Sequence, residues 1–136
     1  MQKIILLVAL CCATIIANAQ NVKASKVPAA VKSAFKAAYP TVQKAHWSME
    51  DKTDYEVGFD NAQGKDVSVV ISPSGVIKET EVEIAFSDLP VAAQTALKGK
   101  KVKETAKITD ANGNVKYEAE VKGKDLLFDA SGASIK

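Results

Sequence analysis

The stretch Asp54-Tyr55-Glu56-Val57-Gly58-Phe59-Asp60 decides the fold, because its pattern occurs twice in the chain. Lys116-Tyr117-Glu118-Ala119-Glu120-Val121-Lys122 repeats it 62 residues later. In both copies apolar and polar residues alternate with a period of two, which is typical of a strand with one buried face and one face in water. We therefore predict that this strand lies in the middle of a duplicated unit.

A matched helix start precedes each copy of the strand. Ser25-Lys26-Val27-Pro28 is echoed by Ser87-Asp88-Leu89-Pro90 at the same offset. Proline is tolerated in the first turn of a helix, and Ser25 is the predicted cap. Apolar residues at helical spacing follow, up to Pro40 in the first copy and Gly99 in the second. Four alternating segments come after each helix, so the predicted repeats are 25–84 and 87–136.

These patterns predict an α+β fold in which two tandem helix-plus-antiparallel-meander repeats share one curved sheet. A unit of about 50–60 residues is marginal as an isolated domain, so we expect the two repeats to share one core as well. Both helices should cover one face of the sheet and leave the other face in water. Residues 20–136 then form a single domain.

The N-terminus has the features of a secretory signal peptide. Lys3 precedes an apolar run from Ile4 to Ile16, and Ala17-Asn18-Ala19 matches the small-x-small cleavage pattern. Two alternatives are a membrane anchor, for which the apolar run is short of about 20 residues, and a lipoprotein signal at Cys11 or Cys12. We predict that residues 1–19 are removed by cleavage after Ala19. The mature protein is then periplasmic or secreted, not inserted in a membrane, and without cysteine.

The composition argues against several classes of function. The 18 basic residues are all lysine and nearly balance the 16 acidic ones. Arginine, the residue of bidentate phosphate and base recognition, is missing, so we do not expect a nucleic-acid partner. The single histidine, His46, has no second histidine or mature cysteine to join it, and glycine-rich phosphate loops and nucleophilic serine motifs are absent. We predict a non-enzymatic protein without a cofactor.

One family shares the chain's marker residues, which extend over essentially the whole mature sequence. They are Val27-Pro28, Phe35, Tyr39-Pro40, Trp47, Tyr55-Glu56-Val57, Ser74-Gly75, Leu89-Pro90 and Tyr117-Glu118. With these the chain resembles the PepSY-like family with a β-lactamase-inhibitor-protein-like fold, small exported proteins of the Bacteroidetes. The resemblance implies one long curved sheet with helices on one side, and a binding or inhibitory role. It implies no catalytic residue.

The polar side of the two central strands is the predicted partner site. If the sheet curves away from its helices, this side forms a concave surface that an unknown protein or peptide could occupy. The predicted contact residues are His46, Ser48, Glu56, Ser68, Lys116, Glu118 and Glu120. The pattern leaves the oligomeric state open.

A carrier of a small ligand or a cation is the alternative function. It would use a cavity between helices and sheet, or the acidic strand 79–83, in which Glu79, Glu81 and Glu83 share one side. Such a ladder is also typical of a solvated strand that resists aggregation. Asp110-Ala111-Asn112-Gly113-Asn114 matches the start of a calcium loop, but the same residues are typical of a hairpin turn, which we favour.

Overall fold

The computed structural model describes residues 20–135, so the predicted signal peptide lies outside the described residues. Nine strands and two α-helices make up the fold, and a short 3-10 turn precedes each helix, at Ala24–Lys26 and Phe86–Asp88. The elements in chain order are β1 (Asn21–Val22), α1 (Ala29–Ala38), β2 (His46–Met49), β3 (Tyr55–Asp60), β4 (Asp66–Ile71), β5 (Ile77–Glu83), α2 (Val91–Ala96), β6 (Val102–Asp110), β7 (Val115–Val121), β8 (Lys124–Asp129) and β9 (Ser134–Ile135).

All nine strands form one antiparallel sheet in which the spatial order equals the chain order. Each strand therefore pairs with the strand before it and the strand after it. β5 pairs with β6, from Glu79↔Asp110 to Glu83↔Ala106, and so joins the first and second halves of the chain. The predicted single antiparallel sheet is confirmed. The predicted loose leader is wrong in part, because Asn21 and Val22 pair with β2.

The first helix begins without the cap that the sequence predicts. Ser25 lies in the 3-10 turn, and α1 starts after Pro28, which provides no side-chain hydrogen bond. Proline fits there because it lacks the N–H group that a first turn would leave unsatisfied. Val31 and Phe35 form the buried stripe, and the helix ends before Pro40, as predicted.

The apolar core consists of two separate clusters, although the sequence predicts one shared core. In the first, the Phe35 ring packs edge-on against Trp47 and Phe59, with centroid distances of 5.4 Å in both pairs. The second lies under α2 and consists of Leu89, Ala93, Leu97, Ala119 and Phe128. The clusters separate because the middle strands carry polar residues on this side of the sheet. These residues are Thr80, Lys107 and Thr109, each paired across the ladder with a neighbour on the same face.

The same five-residue hairpin turn occurs four times, at 61–65, 72–76, 110–114 and 129–133. In each, the backbone N–H of the first residue donates to the carbonyl oxygen of the fifth. A side-chain oxygen of that first residue, Asn, Ser or Asp, accepts the N–H of the fifth residue. The fourth residue is glycine with positive φ. Asp110 therefore belongs to a hairpin turn, as favoured above.

Two of these turns also contact the helices. A Cβ atom built at Gly75 would lie 2.8 Å from the carbonyl oxygen of Ala30 in α1, and one built at Gly132 would lie 2.8 Å from the backbone nitrogen of Ala93 in α2. The turn between β4 and β5 thus supports α1 as the turn between β8 and β9 supports α2.

Candidate site on the helix-free sheet face

The side of the sheet away from both helices is defined by the strand register, since directly paired residues lie on the same face. Trp47, Val57 and Phe59 face α1, so their neighbours along the strands point the other way. We call that side the helix-free face. Ser48 pairs with Glu56 on it, Ser68 with Glu81, and Ala106 with Glu118.

Negative charge is concentrated on the helix-free face. Eleven carboxylates occupy its paired positions, against one lysine, Lys116, although the whole chain has nearly equal numbers of acids and bases. The carboxylates belong to Glu56, Asp60, Asp66, Glu79, Glu81, Glu83, Asp110, Glu118, Glu120, Asp125 and Asp129. The fold therefore separates charges that are mixed along the sequence.

The seven predicted contact residues all lie on this face, in two groups. His46, Ser48, Glu56 and Ser68 are on β2 to β4 and are linked through the pairs His46↔Gly58 and Gly58↔Ser68. The second group is on β7. Because β5 and β6 lie between β4 and β7, the groups are separated by about 14 Å at ordinary strand spacing. The second group consists of Lys116, Glu118 and Glu120.

The prediction that these residues face water is wrong for three of them. Ser48 is 5% exposed, Glu118 is 2% exposed and Glu120 is 4% exposed. All three lie on interior strands of the sheet, with a paired residue on each side; Glu118, for example, is flanked by Ala106 and Leu127. His46 is exposed, whereas Glu56, Ser68 and Lys116 are half-buried.

His46 and Gly58 form a close contact that the sequence pattern did not reveal. A Cβ atom built at Gly58 would lie 2.3 Å from Cε1 of the His46 imidazole. The ring therefore rests over the backbone of β3, in space that any side chain at position 58 would fill. A glycine inside an otherwise regular strand is the signal for such a close approach.

Glu118 is the most unusual residue of the face. Its Oε2 atom is buried and has no hydrogen-bond partner. Burial raises the pKa of this carboxyl to about 8, and the charge of Glu81 on β5 raises it further, followed by Asp125, Glu79 and Glu120. A buried polar atom without a partner costs about 1–3 kcal/mol, so the folded chain maintains Glu118 at the expense of stability.

A second carboxylate pair lies at the other end of the face. Ser68 Oγ donates a hydrogen bond of 3.0 Å to Glu56 Oε1. Burial raises the pKa of Glu50 to about 8, and its hydrogen bond with Glu56 acts in the same direction. The sequence analysis placed Glu50 in a polar turn and missed it. Its position two residues after Ser48 on an alternating segment is the signal that would have placed it on this face.

Lysines partly neutralise the edges of the face. Lys103 Nζ lies 3.5 Å from Glu120 Oε2, and Lys65 Nζ lies 3.4 Å from Glu83 Oε1. Among the ion pairs of residues 20–135, none includes Glu118. The negative centre of the face is therefore without a counterion from this part of the chain.

Two features bear on the carrier alternative. Within residues 20–135, no three His, Cys, Asp or Glu side chains converge closely enough to hold a metal ion, the strand 79–83 included. A groove of about 660 Å³ runs between α2 and the start of β6, and the exposed side chains of Phe86 and Val91 line it together with Lys98 and Lys100. Binding of a small ligand there stays a prediction.

Comparison with known proteins establishes the fold. No protein-family model matches the sequence, and no curated protein matches it significantly. The chain is similar to the crystal structure of a "putative periplasmic" protein from Bacteroides eggerthii, with a TM-score of 0.72 and 22% identity over 81% of this chain and 86% of that one. It is also similar to a DUF2874 family protein from Bacteroides ovatus, with a TM-score of 0.70 and 19% identity over 80% and 84% of the two chains.

A BLIP-like protein from Bacteroides fragilis has the same fold, with a TM-score of 0.64 and 22% identity over 80% of this chain and 84% of that one. At these identities the likeness is one of fold. The β-lactamase-inhibitor-like architecture is thereby confirmed, whereas membership of the PepSY-like family stays a prediction. None of the helices formed by residues 20–135 is long and apolar enough to cross a membrane.

Proposed function

We propose that this protein is a non-enzymatic periplasmic or secreted module that binds a protein or peptide through its helix-free face. The proposed contact surface is the one predicted to be concave. Its centre is β7, and its contact residues are His46, Ser48, Glu56, Ser68, Lys116, Glu118 and Glu120. The likeness to a BLIP-like protein and to a "putative periplasmic" one supports both the binding role and the compartment.

One observation carries the proposal. Eleven carboxylates and a single lysine share a sheet face on which neither helix packs, although acids and bases nearly balance in the whole chain. A chain that only needs solubility gains it from mixed surface charge, whereas a surface of one sign attracts a partner of complementary potential. The unpaired carboxylate of Glu118 adds a polar group that a partner could satisfy.

Two finer points belong to the same proposal. We propose that residues 1–19 act as a signal peptide cleaved after Ala19, which places the module outside the cytoplasm. We also propose that 25–84 and 87–136 arose as repeats of one helix-plus-meander unit. The equivalent contacts of Gly75 with Ala30 and of Gly132 with Ala93 support this view, since each turn reaches the same end of its helix.

Site-directed photo-crosslinking tests the binding face. A photo-reactive residue replaces Ser68 or Lys116 on the helix-free face, or Lys36 on the outer side of α1 as the matched control. The full chain is expressed in a Bacteroides host and irradiated in intact cells. We expect a discrete crosslinked product from positions 68 and 116 and none from position 36. Equal crosslinking at all three positions, or products from position 36 alone, would contradict the proposal.

A further inference from the structure

We infer that the partner inserts a lysine or arginine side chain at the centre of the helix-free face, where its positive group pairs with Glu118. This inference rests on the proposed function, since it names the chemistry of the partner that the same face would bind. Three observations lead to it: the unsatisfied carboxylate of Glu118, the charge around it and the apolar surface next to it.

The first observation is that Glu118 has an acceptor to offer. Its Oε2 atom is fully enclosed and accepts no hydrogen bond, in a side chain that is 98% buried. The nearby lysines are committed or offset: Lys103 binds Glu120, and Lys116 lies two residues along the same strand, about 7 Å away at strand spacing. A buried polar group normally has a partner, so the vacant acceptor indicates a ligand that donates hydrogen bonds.

The second observation is the sign of the surrounding charge. Glu79 and Glu81 face this point from β5, Glu120 from β7 and Asp125 from β8, and each of them raises the pKa of Glu118. Lys116 is the one cation of the face, and its charge lowers the pKa of Glu79. An acidic or neutral group brought here would leave these carboxylates without a counterion, whereas an ammonium or guanidinium group would be attracted by all of them.

The third observation is the apolar surface beside the carboxylate. Ala106 and Leu127 are the direct cross-strand partners of Glu118, and Ile108 is the partner of both Glu81 and Lys116. Ala106 and Ile108 are fully buried, yet they belong to neither helix-side cluster. Lysine and arginine combine an apolar stem with a charged end, so their stem would pack on these residues while the end reaches Glu118.

The pairing has a pH dependence of known sign. Because burial raises the pKa of Glu118 to about 8, the free protein holds this carboxyl largely protonated at neutral pH. A cation binds the ionised form, so binding releases a proton and becomes tighter as the pH rises through 8. If the protonated carboxyl instead donated a hydrogen bond to a neutral carbonyl group, binding would weaken over the same pH range.

Titration calorimetry with simple peptides tests the inference. The full chain is expressed with its own N-terminal segment and purified from the periplasm. The probes are three eight-residue peptides that alternate serine with lysine, glutamine or glutamate, at 0.15 M salt. We expect binding by the lysine peptide alone, with an affinity about tenfold higher at pH 8.5 than at pH 6.5 and proton release that is visible as a buffer-dependent heat.

Two variants locate the effect. Glu118→Gln, which keeps the shape of the side chain, should lower the affinity for the lysine peptide at least about tenfold at pH 8.5 and remove its pH dependence. Asp88→Asn is the control, since it removes the same charge beside α2, and its amide oxygen can still accept the N–H of Ala85. This variant should bind within about twofold of the wild type. Circular dichroism checks that both variants are folded.

The outcomes separate this inference from the proposed function. The inference is overturned if the glutamine peptide binds as well as the lysine peptide, if affinity falls as the pH rises, or if Glu118→Gln and Asp88→Asn have equal effects. It is also overturned if none of the peptides binds. In each case the proposed function stands as long as crosslinks still form at positions 68 and 116, and it fails only when those are missing too.

Discussion

Glu118 shows at the scale of one residue how the fold changes the chemistry of a side chain. In the unfolded chain its carboxyl is hydrated and titrates near the ordinary value of 4.5, whereas in the folded chain burial raises the pKa to about 8. The folded state then resists ionisation between these two values. Stability is therefore fully present at low pH and is lost as the pH rises towards 8, the reverse of the behaviour of a salt-bridged acid.

Glu118→Gln should remove this loss. At pH 5, where the carboxyl is protonated in the folded protein, we expect the free energies of unfolding of variant and wild type to agree within about 0.5 kcal/mol. At pH 9 the variant should be more stable by about 1–3 kcal/mol, the cost of an unsatisfied buried polar group. Urea unfolding at both pH values measures the difference. Glu50, which also has a raised pKa, is present in both proteins and cancels from the comparison. A difference that does not change with pH would refute the assignment.

At the scale of the elements, the four equivalent hairpin turns organise the meander. Each begins with a residue whose side-chain oxygen accepts backbone N–H groups and has glycine at its fourth position. Turns of this kind are readable from the sequence because the polar side chain and the glycine serve local geometry alone. Helix starts are less so: Ser25 looked like a cap, but Pro28 and the packing of Val27 in the first cluster place the start of α1 later.

Two glycine substitutions separate the local role of a turn from its contact with a helix. Gly64→Ala should cost about 1–2 kcal/mol in the free energy of unfolding, because alanine is strained at positive φ while the space around position 64 is empty. Gly75→Ala should cost more, by at least about 1 kcal/mol, since its methyl group would also lie 2.8 Å from the carbonyl oxygen of Ala30. Chemical denaturation of the two variants tests the order. Equal costs would mean that α1 moves away freely.

For the whole molecule, the two apolar clusters are held in one body by the β5–β6 ladder. The side of the middle strands that faces the helices carries Thr80, Lys107 and Thr109, so no apolar contact runs from one cluster to the other along it. Hydrogen bonds of the sheet connect the halves instead. The clusters should therefore contribute independently to the stability of a single unit.

A double-mutant cycle measures this independence. Val31→Ala in the first cluster should destabilise the chain by about 1–3 kcal/mol and Leu97→Ala in the second by about 2–5 kcal/mol, because both side chains are fully buried. Since the clusters are separate, the double variant should lose the sum of the two values within about 0.5 kcal/mol. Urea unfolding of the four proteins provides the cycle. A coupling energy well above this limit would mean that the two clusters act as one core.

The candidate site could be predicted in part. Alternation in the strands placed His46, Ser48, Glu56, Ser68, Lys116, Glu118 and Glu120 on the side away from the helices, and the register agrees with this for all seven. The burial of Glu118 and Glu120 could not be predicted, because it depends on what lies on the neighbouring strands. Glu50 was missed for a related reason: a polar residue at the end of a strand looks the same as a residue of the following turn.

The sequence by itself determined the elements, their order and the face to which each strand residue points, because these follow from periods of two and 3.6 residues and from local turn chemistry. It also carried the markers of the β-lactamase-inhibitor-like fold. Only the tertiary structure decided that the core divides in two, that eleven carboxylates gather on one face and that Glu118 is buried without a partner. Pairing between distant strands sets these features, and the environment of a charge is a property of all the groups around it rather than of its own residue.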